Sequence, residues 1–474
     1  MHCVTSLIHK AGLSLSLVLG VCFGTGALAQ TSDDSVSLSL PQAREVAAYA
    51  LKNDQPELAL RLSSGLVRAD PRDGVAHYMM ALAYARLNEP AKGRKAAARA
   101  YRFSEPGPDR LGAAQLAARL AYEESRPTLA QIWLRRTAIH AQTERDERLL
   151  ARDYQALRQQ NPFSFSIRTD IRPSNNVNNG ADSTLNIING IPDQGFIPAS
   201  SQALPGVIAS VDTSLGYTLR VNENSRTTLA GRLYLSRVRL SEGDKAKAGV
   251  SNSDYASTYS ELSLSHGFRA GQGKQAGTAG VEFAFGESRY GGQRNFLLAR
   301  VSGHRKWKLS RSTSVQVNLL AERRYQARVI SNNTDIFGMG TSFNRRLANG
   351  DRLGLSMTLR DSDAEFMNGT YQSVSLRTTY SFGKRWGPAR VTAGLGLGYS
   401  DYPLVRAGYD PLRIPIDVPR DDKSVHGDVT FFFEDFDYAG FAPTLRLRAG
   451  RNKSNISAYS TREFSISLGV ASKF

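Results

Sequence analysis

Phe464-Ser-Ile-Ser-Leu-Gly-Val470 is the stretch on which the fold turns: Phe464, Ile466, Leu468 and Val470 alternate with Ser465, Ser467, Gly469 and Ala471. An apolar side chain at every second position for about ten residues has the period and length of a strand crossing an outer membrane with one face in lipid. Soluble sandwiches contain such strands too, so the rest of the chain has to decide. Upstream the period returns in Val211, Thr213, Leu215, Tyr217 and Leu219, then in Leu229, Gly231, Leu233 and Leu235. It continues in Leu353, Leu355, Met357 and Leu359, in Val374, Leu376, Thr378, Tyr380 and Phe382, and in Val391, Ala393, Leu395, Leu397 and Tyr399. The opposite faces carry Asp212, Ser214, Ser375 and the arginines Arg220, Arg232, Arg360, Arg377, Arg446 and Arg448, which a barrel would turn into its lumen. Between residues 161 and 474 we read fourteen such strands.

The connections test this independently. Asn222–Ser225, Ala270–Lys274, Ala348–Gly350, Gly383–Pro388 and Asp437–Gly440 are short and suit inner turns. The alternate connections read as longer, above all Pro173–Gly206 and Pro403–Lys423, and suit extracellular loops. Trp307 and Trp386 fall beside inner turns, where an interfacial aromatic girdle belongs. An amide or carbonyl left unpaired in hydrocarbon costs several kcal/mol, so a sheet in lipid must close on itself. The expected fold is therefore a multidomain α + β chain ending in a 14-stranded antiparallel transmembrane β-barrel. Phe474, after its alternating strand, resembles the signal read by outer-membrane barrel assembly machinery, with Ser472 departing from the usual apolar residue.

Residues 30–160 have a helical period, rich in Ala, Leu and Arg and punctuated by Pro56, Pro71, Pro90, Pro106 and Pro127. A frame of roughly thirty-four residues sets Ala81, Tyr84, Gly93 and Ala100 where helix pairs need small or aromatic contacts. Ala118, Ala121 and Ala130 follow in a third unit. This reads as a degenerate tetratricopeptide-like solenoid of three helix pairs with a closing helix at Glu144–Gln160; a plain helical bundle is the alternative. Lys92, Arg94, Lys95, Arg99 and Arg102 make one helix strongly basic, either a solvated face or a docking site for an acidic client segment.

Residues 1–29 read as a secretory signal peptide, an apolar run after Lys10 that ends in Ala27-Leu-Ala29. The only two cysteines, Cys3 and Cys22, lie inside it, so the mature chain is expected to hold neither disulfide nor thiolate metal site. A formal net charge of +17 on 474 residues is scattered, and a secreted chain with scattered charge gives no case for nucleic acid. His77, His140, His266, His304 and His426 have no metal-ligand spacing. Gly271-Gln-Gly273-Lys-Gln-Ala276 matches a dinucleotide fingerprint only superficially, because an alternating strand follows instead of a helix. The loop acids Asp410, Asp417, Asp421 and Asp422 read as a solvated loop before they read as a calcium site. No cofactor and no enzyme chemistry is expected.

A signal peptide, a short helical-repeat domain and a carboxy-terminal barrel together resemble the surface lipoprotein assembly modifier (Slam) family. The most telling local stretch is Phe163-Ser-Phe165-Ser-Ile-Arg168 running into Pro173-Ser-Asn175-Asn176-Val177-Asn178, similar to the family's Asn-rich segment after its first strand. The resemblance implies an outer-membrane translocator with a periplasmic helical domain, whose partners are a client surface lipoprotein or secreted binding protein, outer-membrane lipids and the barrel assembly machinery. It implies that the solenoid captures the client and the barrel gives it passage, through the lumen or at a lateral seam. Two other functions fit the same architecture: an exopolysaccharide-export porin, which needs a lumen matched in charge to its glycan, and a passive porin whose arginines would favour anions.

Overall fold

The computed structural model describes residues 37–141, 143–327, 333–409 and 412–472. The predicted cleavage positions Ala27 and Ala29, and Phe474, lie outside them. Seven helices precede the first strand: α1 Leu40–Lys52, α2 Pro56–Ala69, α3 Gly74–Arg86, α4 Pro90–Phe103, α5 Pro108–Glu123, α6 Pro127–Ala138 and α7 Glu144–Gln160. One turn is used inside all three pairs. Asp54, Asn88 and Ser125 take left-handed φ values of 57°, 56° and 59°. The following residues Gln55, Glu89 and Arg126 donate their N–H groups back to the carbonyls of Ala50, Tyr84 and Ala121, and Pro56, Pro90 and Pro127 open the next helix. The left-handed residue satisfies the last carbonyls of one helix, and the proline begins the next where its missing N–H is not needed.

Small residues let these helices approach closely. Ala81, Ala97, Ala114, Ala117, Ala118, Ala121 and Ala130 are buried in one cluster with Leu120, Trp133, Leu150 and Tyr154. A Cβ on Gly93 would lie 3.0 Å from Leu120 Cδ1 and 3.1 Å from the Ala81 carbonyl oxygen, so the α3–α4–α5 junction admits only glycine there without a shift. Each helix packs on the next, and α1 touches α3 as α3 touches α5, which makes a stack. Leu150 and Tyr154 of α7 close its end.

Fourteen strands form a closed barrel: β1 Phe163–Ser174, β4 Gly206–Val221, β5 Ser225–Leu240, β6 Ser257–Ala270, β7 Gly277–Tyr290, β8 Gln293–Lys308, β9 Thr313–Gln326, β10 Thr334–Arg346, β11 Arg352–Ala364, β12 Tyr371–Ser381, β13 Arg390–Tyr409, β14 Pro415–Phe432, β15 Phe441–Ser454 and β16 Thr461–Ser472. A ribbon of β2 Leu185–Ile188 and β3 Ile191–Phe196 lies in the first outer loop, and a short helix, α8 Glu242–Ala248, in the second. Neighbours pair antiparallel throughout, and β16 returns to β1. The alternation has the expected sense: Leu215, Tyr217, Leu219, Leu233, Leu355, Leu359, Leu376, Leu395, Leu397, Phe464, Leu468 and Val470 are all exposed on the outer face. Inner turns fall where the sequence places them, with Trp307 at the foot of β8 and Trp386 in the β12–β13 turn.

Two connections differ from expectation. Pro403–Lys423 is not a loop, because β13 and β14 run through it as a tall hairpin that pairs Val405 with Val418 and Arg406 with Asp417. Its apolar Val405, Ile416 and Val418 bury against Ile188 and Ile456 of neighbouring loops, which holds the ribbon together above the barrel. Pro403 sits where the ladder slips between Tyr402 and Val405, a bulge that tolerates a residue with no donor. Three of the loop acids are used in ion pairs: Asp417 holds Arg406 at 2.9 Å, Asp421 lies 3.8 Å from Lys423, and Asp422 holds Arg420, while Asp410 lies outside the described residues. The second difference is the β7–β8 outer connection, which is only Gly291-Gly292, both at positive φ as a two-residue hairpin turn requires.

Candidate functional site

Three features converge on the line where the barrel closes. The first is the ladder itself. β1 pairs with β4 at every position from Phe163 to Ser174. With β16 it pairs, among the described residues, at Thr169, Asp170, Ile171 and Ser174, opposite Val470, Gly469, Leu468 and Ser465. The ladder is interrupted at Pro173, which has no N–H to give, and stops at Thr169 although β1 continues down to Phe163 and β16 runs on to Ser472. No other neighbouring pair in the barrel is so sparsely joined among the described residues. Gly469 marks the tightest approach, since a Cβ there would lie 2.5 Å from the Thr169 carbonyl oxygen.

The second feature closes the outer end of that line with side chains. Asn175 Oδ1 accepts from the Phe464 N–H at 2.7 Å, and the Asn175 N–H donates to the Phe464 carbonyl at 3.3 Å. Asn176 Oδ1 accepts from the Gly180 N–H at 2.8 Å, and its Nδ2 donates to the Gly180 carbonyl at 2.9 Å. Asn178 Oδ1 accepts from Leu204 N–H at 2.9 Å while its Nδ2 donates to the Gln202 carbonyl at 2.7 Å. Val177 packs with Leu204, Ile208, Val238 and Leu240. The segment Pro173-Ser-Asn175-Asn176-Val177-Asn178 therefore folds the first outer loop back over the closure and substitutes for strand pairing there.

The third feature anchors the helical stack at the inner end. Arg135 on α6 donates to the carbonyls of Ala439 and Gly440 in the β14–β15 turn at 3.1 and 3.5 Å, and to Ser472 Oγ on β16 at 3.1 Å. Its guanidinium stacks on Phe441 and Tyr154, 4.4 and 4.8 Å from the ring centres. Asn161, between α7 and β1, accepts from Thr128 Oγ1 and from the Phe163 N–H, and donates to Gln131 Oε1. Helix α6 thus holds both strands of the closure.

On the stack, Lys92, Lys95, Arg99 and Arg102 follow one another at helical spacing along the exposed side of α4. Arg94 leaves that stripe. It turns into the packing and grips Glu124 of the next pair with two bonds of 2.6 and 3.3 Å. Lys92 bridges to Glu89 at 2.5 Å across one helical turn.

Inside the barrel, acids and arginines meet as partners. Arg300 reaches Glu261, Glu322 and Glu282 at 2.6, 3.5 and 3.9 Å, and Arg324 holds Glu322 at 2.7 Å. Asp428 lies between Arg377 and Arg446 at 2.6 and 3.1 Å, and Glu463 between Arg172 and Arg448, both at 3.7 Å. Arg232 binds Asp212 with two bonds of 2.9 and 2.8 Å. Arg220 and Arg360 are exposed. Glycine makes room for this lattice: the Arg377 guanidinium lies 2.5 Å from where a Cβ on Gly394 would stand, and the His426 ring 2.2 Å from one on Gly396. Glu434 sits in the β14–β15 turn and pairs with Arg385 and Arg390.

A family model described as "Surface lipoprotein assembly modifier" matches residues 165–474, the whole barrel but for its first residues. The chain belongs to the surface lipoprotein assembly modifier family. No curated protein is similar to it. Solved structures similar in arrangement include the outer-membrane channel DcaP of Acinetobacter baumannii (9% identity, 66% of this chain and 97% of that one, TM-score 0.37). A loop-deletion mutant of OmpT from Vibrio cholerae (8%, 65% and 99%, 0.31) and a bacterial polysaccharide outer membrane secretin (8%, 65% and 98%, 0.31) are others. An assembly modifier built on an outer-membrane barrel is non-enzymatic in kind, acts on lipoproteins, and places this chain in the Gram-negative outer membrane with its helical stack on the periplasmic side.

Within this assembly modifier, sequence reasoning missed Arg135, Arg300 and Asp428. Arg300, between Ala299 and Val301, belongs to no run of inward arginines, and its signal lies in the register that sets it opposite Glu322. Arg135 carries no local signal of its tie to the barrel, because its partners there lie some three hundred residues downstream.

Proposed function

We propose that this assembly modifier moves a client surface lipoprotein, or a secreted protein of the same export route, from the periplasm to the cell surface. The helical stack captures the client and the barrel gives it passage. The observation that supports this reading is the mooring of the helical stack by Arg135 at the inner foot of the β1–β16 closure. The exposed stripe Lys92, Lys95, Arg99 and Arg102 offers an acidic client segment a continuous cationic face.

The lumen supports this function over the two rivals. A passive anion porin needs arginines free to meet solute, whereas Arg232, Arg377, Arg446, Arg448 and Arg300 are each tied to a neighbouring carboxylate. The same pairing leaves no unbroken acidic track for a cationic polymer. Outer-membrane lipids and, during biogenesis, the barrel assembly machinery complete the set of partners.

Deletion of the gene, followed by protease shaving of intact cells and immunoblotting of lipoproteins encoded beside it, tests the proposal. Loss of surface digestion for at least one of them, with its total amount unchanged, is expected. Unaltered digestion of all of them would remove the reading.

A further inference from the structure

We infer that the barrel opens sideways between β1 and β16, from the periplasmic end, and that an extended stretch of the client adds to the inner edge of β1 as a temporary strand. The inference rests on the translocation reading and names its route. Backbone groups on an open strand edge need partners wherever water is scarce, and an extended peptide supplies them whatever its side chains are. Among the described residues, the β1 edge just below Thr169 is such a site. Ile167 and Arg168 pair with β4 through Thr213 and Asp212, yet the ladder to β16 has ended before them.

The two ends of the closure differ in kind. The outer end is fastened by Asn175 and Phe464, by Ser174 opposite Ser465, and by Arg462 with Asp182 at 3.8 Å, contacts that act as a hinge. Towards the inner end the joined stretch is confined to Thr169, Asp170 and Ile171, and Pro173 breaks its continuity with the hinge. The moored helix α6 lies at the foot of this opening, which sets the stack beside the strand edge. The Arg300 and Asp428 networks brace the barrel wall away from the closure, each joining strands no more than two apart, and neither reaches β1 or β16.

The test locks the closure. Ile171 and Leu468 face each other across it and both point outward, so Ile171→Cys with Leu468→Cys forms a staple without entering the lumen. Thr213→Cys with Leu233→Cys makes the same staple between β4 and β5 as a control. Native cysteines are confined to positions 3 and 22. The assay follows surface exposure of the lipoprotein whose display the gene deletion abolishes. Oxidised seam staples are expected to stop display, reduction to restore it, and oxidised control staples to leave it untouched. Display through an oxidised seam at the reduced rate would overturn the lateral route while leaving the translocation function standing; absence of any deletion phenotype would instead bring down the function. Hydrogen exchange on the purified full chain in lipid nanodiscs gives a readout independent of any client. A peptide spanning Phe163–Thr169 should exchange about tenfold faster than one spanning Leu229–Leu235. Equal protection of the two would show a sealed closure and overturn the inference.

Discussion

Asp428 shows how single side chains hold the barrel's interior. Its carboxylate is almost fully covered and has an arginine on either side, Arg377 from two strands away and Arg446 from the next strand. Asp428→Ala leaves two guanidinium groups facing each other. Because both arginines keep partial access to water, the expected loss is about 2 kcal/mol, below that for a fully buried pair. Urea unfolding of barrel refolded into liposomes measures it, and Arg377→Ala in the Asp428→Ala background should recover part of the loss. Asp73 does comparable work in the stack. Burial pushes its carboxyl up, but the Ala76 N–H, the Arg44 guanidinium and the Val75 N–H together outweigh this and hold it below the usual carboxylate range. A depressed folded value means that the stabilisation is present above the unfolded value of about 3.9 and is lost as pH falls through the folded one. Asp73 also caps α3, its Oδ1 accepting from Ala76 at 3.0 Å. Asp73→Ala should therefore cost about 1 kcal/mol at neutral pH. Thermal unfolding followed by helical circular dichroism should show the gap between variant and parent closing below pH about 4.

Among the elements, α4 separates two roles that its basic composition mixes. Arg94 belongs to the packing through Glu124, and Lys92, Lys95, Arg99 and Arg102 belong to the surface. Reversing Lys95, Arg99 and Arg102 to Glu is expected to lower client co-purification about tenfold at low salt, with the difference shrinking as ionic strength rises. Arg94→Ala should lower the stack's melting temperature instead. Strand elements were legible in the sequence because the side-chain period is strict and one face meets lipid, so Phe464 to Val470 could be oriented without any partner known. The helix pairs were legible through their prolines and small residues. What could not be read was length against context. The β13–β14 hairpin looked like a loop because Pro403, Pro411 and Pro415 are loop residues locally, and only the buried trio Val405, Ile188 and Ile456, drawn from three distant segments, makes it a ribbon. For the same reason the thin β1–β16 ladder left no trace in either strand's own composition.

At the scale of the whole molecule, a helical stack and a barrel are joined at the closure. Arg135 bonds both to the β14–β15 turn and to β16, so Arg135→Ala should let the stack swing away while the barrel remains closed. The expected result is a several-fold fall in client display with unchanged heat-modifiable migration of the barrel on gels. Arg135→Lys should rescue little, because an ammonium cannot reach several acceptors and stack on Phe441 and Tyr154 together. The outer face is as uneven as the inner one. The first outer loop reaches from the Val177–Leu204 cluster across the closure to Ile188 and Ile456 beside the tall β13–β14 hairpin, whereas β7 and β8 end in two glycines. The molecule thus wears a canopy on one flank and a bare sill on the other. On the lateral route proposed above, cargo would emerge beneath the canopy, shielded from bulky agents outside until it had cleared the wall, and its departure would acquire a compass bearing in the plane of the cell envelope, drawn by loop lengths alone.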